Sequence, residues 1–353
     1  NDTVEVDGAV VIDRLTGDTY SIKAKKVVNA TGPWVDRIRE MDHTRNEKRL
    51  QLTKGIHLVF DQRIFPLKQA VYFDTPDGRM LFAIPREGKT YIGTTDTSYN
   101  HDPISPTVTD KDYQYLLSCI QYMFPSLEIK LKDIESGWAG VRPLILQEGK
   151  GPSEISRKDE IWESTTGLVT IAGGKLTGYR KMAETVVDLL AKRIREENKR
   201  GLQSCQTKWT PISGGHVGNA GDFSQFVKGK AREGMEAGFT YEEAEHLATI
   251  YGSNVSTLYH YMIENPIEGL QSSLPSVLWV KLKYALEHEM VVTPLDFFSR
   301  RTGSLLFNIE LVQLFKMEVI QYMTNFFQWS EEQKKSFALE LEGAIKEVIL
   351  FTD

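Results

Sequence analysis

The spacing of apolar positions changes along the chain. Up to about residue 100 they come in short blocks or alternate, the pattern of strands. Residues 4–30 read as a β-hairpin and a strand, with Ala9-Val10-Val11-Ile12 as an apolar run, Thr16-Gly17-Asp18 as the turn and Val27-Val28 leading into the next turn. Four strands are expected near 56–60, 70–73, 80–84 and 90–94, joined late by turns at Pro76-Asp77-Gly78 and Arg86-Glu87-Gly88-Lys89, which makes an antiparallel sheet. Thr109 is a plausible N-cap for a helix carrying Tyr113, Leu116, Leu117, Ile120 and Met123 on one face and stopping at Pro125. Leu168 to Ala172 reads as a buried strand, Gly173 to Gly178 as a turn, and Met182, Ala183, Val186, Leu190 and Ile194 as the inner face of a helix.

The polar stretch 196–208 reads as a linker, and beyond it the period is helical almost throughout. Thr240-Tyr241-Glu242-Glu243 and Ser330-Glu331-Glu332-Gln333 are capping boxes. Leu311, Phe315, Val319, Tyr322, Met323 and Phe326 stripe a long helix between 240 and 333, as core rather than as a partner surface.

Composition narrows the function. The 353 residues are 41% apolar and 25% charged, enough for a large core without disulfides or a metal. The two cysteines, Cys119 and Cys205, form no framework and suit a reducing, cytoplasmic setting. The formal charge is −6, divided as +1 over 1–207 and −7 over 208–353, so nucleic acid is not an expected partner. No apolar run approaches the roughly 20 residues needed to span a bilayer.

Several signatures are absent. There is no G-x-G-x-x-G, no phosphate loop and no H-E-x-x-H, and the seven histidines lack ligand spacing, so no metal is expected. The strongest local signal is Gly173-Gly174-Lys175-Leu176-Thr177-Gly178, where a strand meets a helix start whose free amides, with Lys175, suit negative charge. Read alone, it is equally a tight turn with a solvated lysine. Arg142, in Gly140-Val141-Arg142-Pro143-Leu144, suits a carboxylate or phosphate, or a structural ion pair. Arg157 taken singly reads as a surface arginine and His57, on an apolar strand, as a core histidine.

Taken in order, four strings resemble the FAD-dependent glycerol-3-phosphate dehydrogenases: Val28-Asn29-Ala30-Thr31-Gly32-Pro33-Trp34; Phe82-Ala83-Ile84-Pro85-Arg86 with Ile92-Gly93-Thr94-Thr95-Asp96; Gly140 to Leu144; and Gly173 to Thr177 with Tyr179-Arg180-Lys181. His288-Glu289-Met290, Thr293, Asp296-Phe297 and Arg300-Arg301-Thr302 resemble the start of that family's helical C-terminal domain. The resemblance implies an α+β fold: a remnant of the FAD-binding domain over 1–46, an antiparallel substrate-binding domain over 47–145, the last part of the FAD-binding domain over 146–200 and an all-α domain over 208–353. It also implies that roughly the first third of a typical member, with its Rossmann segment, precedes Asn1, which makes FAD binding by this chain alone an open expectation.

The implied reaction oxidises sn-glycerol 3-phosphate to dihydroxyacetone phosphate by hydride transfer to FAD, with electrons passing to a quinone or another acceptor. Ala30, Thr31, Gly32 and Trp34 with Gly174, Lys175, Leu176 and Thr177 are then the cofactor-lining residues, and Arg142, Arg157, Lys175 and Thr177 hold the substrate. His57, whose imidazole is expected to titrate near working pH, is the implied base for the C2 hydroxyl, with Arg142 as its catalytic partner. The same resemblance implies a homodimer and a peripheral contact with the cytoplasmic face of the membrane. A related flavin oxidase of amines or 2-hydroxy acids, or a catalytically silent binding module, stays open as an alternative.

Overall fold

The computed structural model describes residues 5–43, 48–146, 158–198 and 201–349. In chain order the first elements are β1 (Gly8–Ile12), β2 (Thr19–Lys23), β3 (Val28–Asn29) and α1 (Val35–Met41). The sheet strands follow: β4 (Leu50–Asp61), β5 (Val71–Asp74), β6 (Met80–Arg86), β7 (Lys89–Gly93) and β8 (Thr97–Ser98). Then come α2 (Asp110–Met123), β9 (Ile134–Ile145), β10 (Asp159–Glu163), β11 (Val169–Gly173) and α3 (Tyr179–Asn198). The rest is helical: α4 (Phe223–Glu236), α5 (Tyr241–Tyr251), α6 (Val255–Glu264), α7 (Pro266–Gln271), α8 (Ser276–His288), a π-helical turn (Asp296–Arg301), α9 (Ser304–Phe307), α10 (Ile309–Phe327) and α11 (Glu331–Ile349). This is the α+β fold expected.

The chain forms two compact units. The first comprises Asn1–His57, Gly93–Val108 and Ala139–Thr210; the second comprises Leu58–Ile92, Thr109–Trp138 and Pro211–Asp353. The stretch 47–145, expected as one substrate-binding domain, is therefore divided between them, and β4 and β9 each contribute residues to both.

In the first unit β1 and β2 pair antiparallel, Val10 opposite Ser21, around a turn in which Asp13 accepts from the Leu15 amide at 2.8 Å. The hairpin starts at Gly8, later than the pattern suggested. A three-stranded sheet runs β10-β11-β3, antiparallel at β10/β11 and parallel at β11/β3, where Val169 faces Val28 and Thr170 faces Asn29. Val35, Ile145, Trp162 and Ala172 pack into its core beside Leu50. Arg39 is buried there, stacked 4.4 Å over Trp162 and donating to Asp36 and the Lys48 carbonyl at 2.8 Å each. A buried guanidinium needs such partners.

In the second unit β5, β6 and β7 follow one another in the sheet next to the end of β4. Phe60, Phe65, Phe73 and Phe124 meet edge to face beneath them. Thr109 and Asp112 form the capping box that starts α2, and the helix ends just before Pro125 as its sequence requires. The helices bury Trp279, Phe297, Phe298, Leu247 and Val280 completely. Capping boxes open α5 (Thr240 with Glu243) and α11 (Ser330 with Gln333). Along α10, Val319 and Met323 are buried as expected, whereas Phe326 is 44% exposed.

The sheet strands and helices of this unit are joined directly. Ser136 donates its hydroxyl to the Leu306 carbonyl, and Phe307 inserts its ring against Tyr91 and Trp138 with centroids 5.6 and 5.5 Å away.

Candidate active site

Alternation along β4 sets one face of the first unit. Thr53, Gly55 and His57 point the same way, since strand side chains alternate. Opposite them lie Gly93 to Asp96, just past β7, and Arg142 from β9. Gly55 is a matter of room: a Cβ on it would lie 2.5 Å from Arg142 Nη1 and 2.7 Å from Nη2. Gly93 is likewise pressed on His57, where a Cβ would come within 2.7 Å of Nε2.

Arg142 donates to the Thr95 carbonyl at 3.0 Å, to Asp96 Oδ1 at 2.7 Å and to Thr94 Oγ1 at 2.8 Å. Thr53 Oγ1 donates to the same carboxylate at 3.3 Å. The structure shows the ion-pair reading of Arg142. The guanidinium is fixed by that pair, and two of its five N–H groups stay unassigned to any partner among the described residues. A fork held on one edge with free donors on the other suits an oxyanion.

His57 departs from the expectation of an imidazole titrating near working pH. Burial, and then the positive charge of Arg142, push it down to about 4. The ring is therefore neutral at pH 7. It can accept a proton, although as a weaker base than an ordinary histidine.

The second set of expected residues gathers at the ends of the parallel pair β3 and β11. Ala30, Thr31, Gly32 and Trp34 follow β3, and Gly174, Lys175, Leu176 and Thr177 follow β11, so both stretches leave the same end of the parallel pair, the second starting farther along. Ligands of α/β sheets bind beyond such carboxyl ends. Asn29, which sequence reasoning passed over as a site residue, ties this edge together. It is buried, donates Nδ2 to the Val35 carbonyl at 3.0 Å and to Thr170 Oγ1 at 3.4 Å, and accepts from Thr31 Oγ1 at 2.7 Å. Lys175, Leu176 and Thr177 are exposed, Leu176 by 90%, at the start of a short 3-10 turn that runs into α3. Arg157 lies outside the described residues.

The residues missed by sequence reasoning are mostly partners rather than protagonists: Asp96, Thr94, Gly55, Gly93 and Asn29. Asp96, Thr94, Gly93 and Asn29 lie inside the quoted strings, whereas Gly55 lies far from all of them and had no such signal.

Residues 2–180 match the family described as FAD dependent oxidoreductase, and 205–334 match the C-terminal domain of alpha-glycerophosphate oxidase. The aerobic glycerol-3-phosphate dehydrogenase of Bacillus subtilis is 53% identical over 343 residues, which is 97% of this chain and 62% of that protein. Its counterpart in Staphylococcus haemolyticus is 54% identical over 97% of this chain and 61% of its own length. The chain thus spans about three fifths of the curated relatives it matches. The crystal structure of glycerol-3-phosphate dehydrogenase from Bacillus halodurans, complexed with FAD, superposes with a TM-score of 0.92 at 48% identity, covering all of this chain and 68% of that one. The β3/β11 edge and the β4 face are therefore parts of a known framework: this chain belongs to the FAD dependent oxidoreductase family.

Proposed function

We propose that the chain carries the substrate-binding and helical parts of an FAD-dependent glycerol-3-phosphate dehydrogenase, which oxidises sn-glycerol 3-phosphate to dihydroxyacetone phosphate. The observation that carries this reading is the β4 face, where a fixed arginine fork and a neutral imidazole converge.

The residues present suit the cofactor. Two turns leave the same end of a parallel strand pair, an exposed Leu176 offers apolar surface to a planar ring, and the amides at the start of the 3-10 turn offer donors. FAD, when bound, supplies the two-electron acceptor. Lys175 and the amides of Gly174 to Thr177 favour negative charge at that edge. Arg142 orients the substrate's oxygens with its free N–H groups. Gly55 lets the guanidinium lie close to β4, and Asp96 keeps it from swinging away. His57, held neutral, takes the proton of the C2 hydroxyl.

The finer parts of the proposal rest on the resemblance alone: a quinone or another acceptor, a homodimer, and a cytoplasmic location with peripheral membrane contact. No helix among the described residues is long and apolar enough to cross a membrane.

The test is the visible absorption of the flavin-loaded protein under anaerobic conditions. Glycerol 3-phosphate is expected to bleach the flavin band, and sarcosine and lactate are not. Bleaching by either of these, with none by glycerol 3-phosphate, overturns the proposal.

A further inference from the structure

The second unit holds a partly open cavity of about 320 Å³, none of whose lining residues belongs to the β4 face or to the β3/β11 edge. Its walls come from four places: the β6–β7 turn (Arg86, Glu87), α5 (His246, Tyr251), the start and middle of α8 (Leu278, Lys281), and the stretch from Arg301 to Leu311.

The charges in it are unevenly matched. Lys281 Nζ lies 3.2 Å from His246 Nε2, and no carboxylate makes an ion pair with it among the described residues. Burial lowers the Lys281 pKa, with Glu87 working against that, and burial followed by Lys281 lowers that of His246. Arg86 stacks 4.2 Å over Phe307, its Nε 3.7 Å from Glu87. Arg301 is held by the Glu289 carbonyl at 3.0 and 2.6 Å, with the Glu289 carboxylate 4.0 Å away. Each arginine thus lies near an acid, while the deepest cation, Lys281, touches the His246 imidazole and feels the Glu87 carboxylate without an ion-pair contact to it. A half-buried ammonium left in that position is costly unless an anion meets it. Thr302, Ser304 and Asn308 add neutral polar groups to the wall, and Val277, Leu278, Leu311 and the Phe307 ring supply its apolar part.

We propose that this cavity binds a small organic acid, its oxyanion on Lys281 and His246 and its apolar body against Phe307, Leu278 and Leu311. The volume suits one ring or a short chain. The shared chemistry is an oxyanion on an apolar body; whether that oxyanion is a carboxylate or a phosphate is read from which probe binds.

The experiment is titration calorimetry of the whole chain with benzoate, phenyl phosphate, inorganic phosphate and benzyl alcohol. Benzoate or phenyl phosphate is expected to bind, inorganic phosphate more weakly and the neutral alcohol not at all. Lys281→Met, which keeps the apolar stem, weakens the acid at least about tenfold, as the loss of a charge-assisted bond implies. Arg142→Gln, on the β4 face, leaves its affinity unchanged. Equal affinity in Lys281→Met, loss in Arg142→Gln, or no binding of either acid up to roughly 10 mM overturns the proposal. Should Lys281→Met fail to fold, the NMR signal of the His246 ring in the unaltered chain decides: it shifts on adding the acid, and an unmoved signal overturns the site.

Discussion

Gly55 and Arg142 fit together because one of them has no side chain: a methyl group on Gly55 would stand 2.5 Å from the arginine's Nη1. The guanidinium cannot yield easily, since three hydrogen bonds hold it to Thr94, Thr95 and Asp96. Gly55→Ala is therefore expected to displace the fork and cut kcat/KM for glycerol 3-phosphate by about 10- to 100-fold, the worth of one or two charge-assisted bonds. Steady-state assays with a dye acceptor measure it, and an unchanged kcat/KM contradicts the positioning role of Gly55.

His57 links the site to pH. Its folded pKa, about 4, is below the unfolded value of 6.5, so the unfolded chain binds the extra proton between those values. The stability that comes from burying the neutral ring is present in full above about 6.5 and is lost as pH falls toward 4. The loss is on the order of 3 kcal/mol. Urea midpoints at pH 7.5 and 4.5 should differ less in His57→Gln than in the parent. Since Arg142 contributes to the depression, Arg142→Gln should raise the His57 pKa in an NMR titration.

Asn29→Ala removes the side-chain hydrogen bonds to Val35, Thr170 and Thr31 that tie the β3/β11 edge. A loss of about 1–3 kcal/mol in unfolding free energy is expected. FAD affinity should fall with it, because the turn from Ala30 to Trp34 loses its anchor. Denaturant unfolding and flavin fluorescence check the two effects separately.

Leu176→Ser offers the opposite combination. The side chain is 90% exposed, so stability should stay within about 0.5 kcal/mol of the parent. If the ring of the cofactor lies on it, flavin binding weakens about tenfold through lost apolar contact. Unaltered flavin affinity would remove Leu176 from the cofactor surface.

Features set by a few neighbouring residues were legible in the chain. The turns at Asp77-Gly78 and Glu87-Gly88, the N-cap at Thr109, the capping boxes at Thr240 and Ser330, and the stop at Pro125 all depend on local chemistry. β9 was hidden because Gly137, Gly140 and Pro143 interrupt its apolar pattern. Arg142 could be picked out by type, but its partner Asp96 is 46 positions away and nothing in either neighbourhood announces the pair. The low pKa of His57 comes from burial and from that same distant arginine, so no local reading reaches it. The parallel contact of β3 with β11, which joins the two cofactor turns, spans over 100 residues and was accessible only through resemblance.

The packing of Phe307 against Tyr91 and Trp138 sets a timetable for synthesis. The strands carrying those two rings leave the ribosome long before α9 is made. At ordinary translation speeds they wait on the order of ten seconds with an aromatic surface uncovered. Slow elongation through residues 139–303 should thus favour chaperone capture or aggregation of the nascent chain, while a helical segment supplied early would shorten the exposure.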